Sequence, residues 1–164
     1  MAESAAWLAD RVPAGSELGL HICSIWHHDT GAGQDNRVLV DAANAITSRV
    51  KRPVSYIHIP VIPEHRQPDY DMLRTLKLGA GTKLYLGLIN LVDGIEGAKR
   101  RIAMAGNAVG DFGVAMFCGL GRAPGAVGPS GTLAHAVVPA LRRATPDTIG
   151  DVLDLHRAVA ELAS

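Results

Sequence analysis

Apolar and polar residues follow two distinct patterns along the chain, and together these patterns predict a regular succession of strands and helices. Four short apolar runs, at residues 18–25, 54–61, 83–91 and 112–118, predict buried β-strands. Between them, apolar residues recur three or four positions apart, which predicts helices. Another helix, at residues 3–12, precedes the first run. The predicted order is therefore a leading helix followed by four strand–helix units.

Three of the predicted helices carry local signals. The apolar stripe of the second helix, which starts near residue 35, consists of Val38, Leu39, Ala42, Ala43, Ile46 and Val50. After the third strand, Asp93 and Glu96 have the spacing of a capping box, which predicts that the Asp93 side chain caps the next helix. Thr145 and Pro146 predict the N-cap and the first residue of the last helix.

The strand pattern predicts an α/β fold with a parallel sheet. Strands that are apolar at nearly every position are covered on both faces, which is typical of parallel sheets. Four βα units equal half of a (β/α)₈ barrel, and a full barrel needs about 250 residues. An open four-stranded sheet is the alternative arrangement. We expect residues 1–164 to form a single domain.

Composition narrows the classes of function. The formal net charge is +0, so nothing indicates nucleic-acid binding, and no apolar run is long enough for a membrane span. The first residues lack the basic and apolar regions of a signal peptide, so we expect a cytoplasmic protein. In that compartment, Cys23 and Cys118 indicate a metal or catalytic role rather than a disulfide. Two separately buried thiols are the alternative.

Potential metal ligands lie at the carboxyl ends of the predicted strands, where parallel folds collect their sites. His21 and Cys23 are two positions apart, so they share one face at the end of the first strand. His58 is assigned to the end of the second strand and Cys118 to the end of the fourth. Two thiolates and two imidazoles make a complete tetrahedral zinc set. Taken alone, His58 is better explained as a core histidine than as a ligand.

Several segments resemble the cobalamin-independent methionine synthase superfamily, which is related by fold to uroporphyrinogen decarboxylase. The smaller, poorly characterised bacterial members are the most similar. The matching segments are His21-x-Cys23, residues 53–61, residues 84–94 and Phe117-Cys118-Gly119-Leu120-Gly121-Arg122. The resemblance runs from about residue 5 to 122 and resumes in the last helix. It corresponds to the carboxyl half of the family's barrel, strands five to eight.

The resemblance implies a zinc ion that binds a thiol substrate and activates it as a thiolate for methyl transfer. The family's zinc ligands fall on His21, Cys23 and Cys118, and His58 stands where the synthase has a glutamate. Asn90 stands where the synthase has a proton-donating histidine. Residues 123–144 form a loop insertion before the last helix, and the amino half of the barrel has no counterpart in this sequence. No residue is assigned a catalytic role.

Three further residues are candidates for substrate binding. Trp26 follows the first strand and Asn90 ends the third, so both could line a pocket at the carboxyl edge. Arg122 directly follows the turn at residues 119–121, and its guanidinium group could bind an anion. An exposed loop around Trp26 and a tight turn with a solvated Arg122 are the alternatives.

Half of a barrel leaves two unpaired sheet edges and an uncovered inner face. We therefore expect either a closed eight-stranded homodimer or assembly with a separate amino-half chain; a fragment of a longer protein is the third possibility. The predicted function is zinc-dependent transfer of a methyl or other alkyl group to or from a small thiol. The alternative is a non-catalytic, zinc-stabilised module. A metal-free decarboxylase-like protein would need arginine and aspartate at the strand ends, which these strands lack.

Overall fold

A computed structural model describes residues 1–23, 36–61, 66–89, 93–116 and 146–163. In chain order its helices and strands are α1 (Ala2–Ala9), β1 (Gly19–His21), α2 (Asn36–Thr47), β2 (Tyr56–Pro60), α3 (Gln67–Asp71), β3 (Lys83–Ile89), α4 (Gly94–Ala108), β4 (Gly113–Met116) and α5 (Pro146–Leu162). A 3₁₀ turn, Met72–Thr75, follows α3 directly. Within these residues, no helix is long and apolar enough to cross a membrane.

The four strands form one sheet whose order, β1-β2-β3-β4, is the order along the chain, and all neighbouring pairs are parallel. Each crossover therefore moves the chain one strand further in the same direction. Because such crossovers are right-handed, their helices lie on the same face of the sheet. A doubly wound sheet instead reverses its order at a switch point. The predicted α/β fold, with a leading helix and four βα units, is confirmed, and its strand order is that of half a (β/α)₈ barrel.

One face of the sheet, which we call the helix face, carries the hydrophobic core. On β2 and β3, alternate residues point to this face and are at most 3% exposed: Ile57, Ile59, Leu84, Leu86 and Leu88. They pack against buried residues of α2, α3, the 3₁₀ turn and α4, namely Leu39, Val40, Ala43, Tyr70, Leu73, Ala105 and Ala108. A second cluster of Ile89, Ala98, Met116, Val152 and Val159 extends the core to α5. The helices are therefore held to the sheet chiefly by apolar burial.

The opposite face, which we call the His–Tyr face, has a different composition. Its residues in the described strands are Gly19, His21, Tyr56, His58, Pro60, Lys83, Tyr85, Gly87, Gly113 and Ala115. None of them belongs to either hydrophobic cluster in the described part of the chain. His21 is exposed, and 39% of Tyr56 is exposed. This face is therefore where polar and aromatic side chains of neighbouring strands meet.

The buried side of α2 differs from the predicted stripe. Val38, which the stripe places in the core, is 55% exposed, whereas Val40, outside the stripe, is fully buried. Leu39 and Ala43 are buried as expected. Successive residues are about 100° apart around a helix, so contact centred on Leu39, Val40 and Ala43 turns Val38 outward. The rotation of α2 about its own axis is therefore fixed by its packing against the sheet.

The last helix begins at the expected residue. α5 starts at Pro146, as the proline at a first helical position predicts. Its proposed N-cap, Thr145, and the predicted loop insertion at 123–144 lie outside the described residues. The single-domain assignment of residues 1–164 stays a prediction.

Candidate metal centre

The parallel pairing of β1 and β2 brings His21 and His58 together. His21 ends β1 as predicted, but the predicted position of His58 was wrong: it is the third of the five residues of β2 and not its end. The two residues are register partners, and the backbone N–H of Ile22 donates to the carbonyl oxygen of His58 at 2.9 Å. Their Nδ1 atoms lie 2.8 Å apart, and the two rings stack with centroids 4.8 Å apart and planes 26° apart. One Nδ1 must donate a proton and the other accept it, so at most one of the two rings is charged in this contact.

The surroundings of the pair favour neutral imidazoles. Burial, and secondly the charge on a protonated His21, lower the pKa of His58 to about 4, whereas the main chain of Met116 acts in the opposite direction. Burial also lowers the pKa of His21. Both rings are therefore neutral at pH 7. A neutral imidazole is the form that binds metal ions.

One ring nitrogen of the pair is buried. The Nε2 atom of His58 is buried and has no hydrogen-bond partner among the described residues. It lies on the far side of the ring from Nδ1, so it does not face His21. In metal sites the second nitrogen of a ligating histidine usually donates to a carboxylate, a carbonyl or water. The main chain of Met116 lies close enough to raise the pKa of His58 by a hydrogen bond, so this nitrogen does not distinguish a core histidine from a metal ligand.

The pair has donor atoms that fit zinc, but the described residues do not assemble a full site. Two nitrogens bound to one tetrahedral zinc at about 2.0–2.1 Å would be about 3.3 Å apart, so the rings would have to separate by about 0.5 Å. Cys23, two residues beyond His21, is exposed. Among the described residues, no three His, Cys, Asp or Glu side chains are grouped so as to hold a metal ion. The structure thus brings two of the four predicted ligands together.

The other predicted site residues lie outside the described residues: Cys118, Trp26, Asn90 and Arg122. Along the chain, Asn90 directly follows the last residue of β3, and Cys118 comes two positions after the last residue of β4. Their place in a zinc or substrate site stays a prediction.

A buried ion pair lies at the carboxyl end of β3, and it replaces the predicted capping box. Asp93 makes no side-chain cap hydrogen bond. Instead its carboxylate accepts from both terminal nitrogens of Arg101, at 2.6 and 2.9 Å, and Arg101 Nε donates to the carbonyl oxygen of Leu88 at 2.7 Å. Arg101 is only 2% exposed. The ion pair holds the Asp93 pKa low, chiefly through the hydrogen bond from Arg101.

Gly97 makes the ion pair possible. A Cβ at this position would lie 1.9 Å from Cγ and Oδ2 of Asp93, so only glycine leaves room for the carboxylate to fold back over the first turn of α4. The sequence contains a signal that could have found Arg101: the apolar stripe of α4 includes Ala98, Ile102 and Ala105, and residue 101 lies on the same side. An arginine at a core position needs a buried partner.

Two tyrosines of the His–Tyr face were also not singled out by the sequence patterns. Tyr85 is the register partner of His58, and Tyr56 meets it edge to face with ring centroids 5.8 Å apart. Alternation along β3 is the signal that could have placed Tyr85 beside His58.

Comparison with known proteins adds no relative. No protein-family model matches the chain, and no curated protein or solved structure matches it significantly. The resemblance to the methionine synthase superfamily therefore stays a prediction from the quoted motifs. Any function assigned to this chain has to be argued from its own residues and geometry.

Proposed function

We propose that this chain binds zinc at the carboxyl edge of its sheet and takes part in transferring a methyl or other alkyl group to or from a thiol. The observation that carries the proposal is the close approach of the His21 and His58 Nδ1 atoms, 2.8 Å apart on one face of neighbouring strands. Cys23 and Cys118 are the proposed thiolate ligands. The proposal also draws on the motif resemblance, which suggests the thiol chemistry.

Each ligand has a distinct part in this proposal. His21 and His58 supply neutral nitrogens, because burial lowers the pKa of both rings. A zinc ion held by these residues would supply the Lewis acidity that lowers the pKa of a thiol substrate. Four protein ligands fill a tetrahedral shell, so substrate entry requires one to leave. We assign that displaceable position to His58.

The same proposal includes assembly into a closed barrel. β1 and β4 are the two edges of the described sheet, and each leaves one row of backbone hydrogen-bonding groups unpaired within it. Because all strands are parallel, a two-fold axis along the strands would pair β4 of one copy with β1 of the next and close eight strands. A separate chain carrying four more βα units would close the barrel in the same way.

Metal analysis of the purified chain tests the site. We expect about one zinc per chain in the wild type and loss of zinc in Cys118→Ser and His21→Ala. His156→Gln is the matched control, because His156 lies on α5 and outside the proposed ligand set, so the zinc content of this variant should equal that of the wild type. Full retention of stoichiometric zinc by Cys118→Ser would contradict the proposed ligand set.

X-ray absorption at the zinc edge separates catalysis from a purely structural metal. If the site is catalytic, adding a thiol should introduce a further sulfur and remove one nitrogen from the shell. An unchanged shell at saturating thiol would instead identify a closed, structural site.

Light scattering tests the assembly, because a folded monomer that is stable at micromolar concentration would contradict barrel closure.

A further inference from the structure

A line of four register partners crosses the His–Tyr face: His21, His58, Tyr85 and Gly113. The two histidines on β1 and β2 form the hydrogen-bonded pair. Tyr85 on β3 and Gly113 on β4 complete the line. Residues facing each other in this way are direct neighbours. Tyr85 is therefore the side chain of β3 that stands next to the candidate metal ligands.

Gly113 determines where the Tyr85 ring lies. A Cβ on Gly113 would be 2.4 Å from Cε1 and 2.5 Å from Cδ1 of that ring, so the ring lies across β4 in space that any other residue would fill. Tyr56 supports the ring from the amino-terminal side, with an edge-to-face contact at 87°. The ring thus leans towards β4 and away from the β2 side, where His58 lies.

The next register partners towards the carboxyl ends of β3 and β4 are Gly87 and Ala115. They add nothing larger than a methyl group to this face. On β3 and β4, the Tyr85 ring is therefore the nearest bulky side chain on the amino-terminal side of Gly87, which is itself buried. The described residues of this face also carry no carboxylate, and its one lysine, Lys83, begins β3 at the opposite end.

We infer that Tyr85 is a specificity-determining residue: its ring forms an apolar wall against which the uncharged carbon chain of a thiol packs while the sulfur is held beside His21 and His58. The inference rests on the proposed function for the position of the sulfur. Because the ring leans over β4, it contacts the carbon chain of the thiol rather than the sulfur beside His58. The absence of carboxylates on the described His–Tyr face disfavours thiols with a cationic chain and favours apolar or aromatic ones.

Binding of two primary alkyl thiols to the full chain tests this wall. Benzyl mercaptan and 2-mercaptoethanol share the same CH₂–SH group and differ in the chain beyond it. The chain has three tyrosines, so ring signals in NMR spectra of ¹³C-tyrosine-labelled protein are assigned by comparison with Tyr85→Leu. We expect benzyl mercaptan to shift the Tyr85 signals, with and without zinc, and to bind more tightly than 2-mercaptoethanol.

Two variants should remove that preference. Loss of an aromatic contact is worth about 2- to 10-fold in affinity, so Tyr85→Leu should lower the ratio of the two affinities by about that factor. Gly113→Ala should lower it too, because the new methyl group pushes the ring towards His58. Gly110→Ala is the matched control, since a Cβ there meets nothing within 4 Å, and its ratio should be unchanged.

The outcomes distinguish this inference from the proposed function. If zinc binds but neither Tyr85→Leu nor Gly113→Ala changes the affinity ratio, the wall is wrong and the zinc site stands. If zinc does not bind but benzyl mercaptan still shifts the Tyr85 signals, the wall stands and the zinc site is wrong. No shift of the Tyr85 signals at any thiol concentration would overturn the inference.

Discussion

The two faces of the sheet differ in the side chains they carry and in the contacts these side chains make. On the helix face, residues such as Ile57 and Leu86 are fully buried and their contacts are apolar. On the His–Tyr face, the same strands carry His58 and Tyr85, which pair with a second histidine, a second tyrosine and a glycine. The apolar core therefore lies on one face and the candidate site on the other. Because strand residues alternate, a shift of register by one position would exchange the two roles.

Adjacent residues of β3 provide the strongest test of this contrast. Leu86→Ala removes a fully buried side chain from the helix face, and we expect it to lower the free energy of unfolding by about 3 to 5 kcal/mol. Tyr85→Ala, one residue away on the half-buried His–Tyr face, should cost about 1 to 2 kcal/mol. Urea denaturation measures both. Equal losses would show that the His–Tyr face is covered as completely as the helix face.

The ion pair between Asp93 and Arg101 allows a buried charge to be compared with an exposed one. Asp93→Asn preserves shape but leaves Arg101 buried without its counter-charge, and we expect a loss of about 3 kcal/mol. That is the lower end of the range for a buried pair, because Asp93 is 25% exposed. Arg100→Met is the control: Arg100 also contacts Asp93 but is 65% exposed, so its loss should cost about 0.5 kcal/mol or less. Similar losses in the two variants would contradict the assigned role of Arg101.

The histidine pair predicts how the stability of the metal-free protein depends on pH. The pKa of His58 falls from 6.5 to about 4 on folding, so between these values the unfolded chain binds more protons than the folded one. Stability should therefore be fully present above pH 6.5 and decline as pH falls towards 4, by about 2 to 3 kcal/mol. Denaturation with a chelator present, from pH 7 to 4, measures the decline.

His58→Gln is the matched variant for this titration. It keeps a polar side chain of similar length and removes the proton-binding group, so most of the decline between pH 6.5 and 4 should disappear. The same slope in wild type and variant would assign the pH dependence to other groups.

The smallest expected effect comes from a polar atom on the helix face. Tyr70 is fully buried, and its hydroxyl group has no hydrogen-bond partner among the described residues. Burial raises the pKa of this hydroxyl group, which therefore stays protonated. Tyr70→Phe should raise the free energy of unfolding by about 1 kcal/mol, because it removes a desolvated group that gains nothing in return. A loss of stability in this variant would show that the hydroxyl group is hydrogen-bonded in solution.

Much of the fold could be predicted from local patterns. Apolar runs in the sequence contain all four strands of the sheet, and α5 begins at the predicted proline. The prediction for Asp93 was wrong because a capping box depends only on local spacing, whereas the carboxylate has a stronger partner eight residues away. Val38 was placed incorrectly because an apolar stripe does not reveal how the helix is rotated on the sheet.

For the candidate site, too, local patterns predicted some features and the tertiary structure decided the others. The order of strands and helices along the chain was enough to place His21 at the carboxyl end of its strand, but His58 lies in the middle of β2. Their direct contact needed the register of β1 and β2, which is set by packing of the whole helix face. Tyr85 and Gly113 became neighbours of the site only through two further strand pairings.

By itself, then, the amino-acid sequence determined the succession of strands and helices and the parallel sheet, and it predicted metal-binding residues at the carboxyl edge of that sheet. Each of these depends on hydrophobic periodicity or on the position of a residue within one segment. The tertiary structure alone decided which donors meet, that Arg101 is buried against Asp93, and that the Tyr85 ring lies over Gly113. These contacts join residues far apart in the chain, and their energies depend on burial and register that no single segment contains.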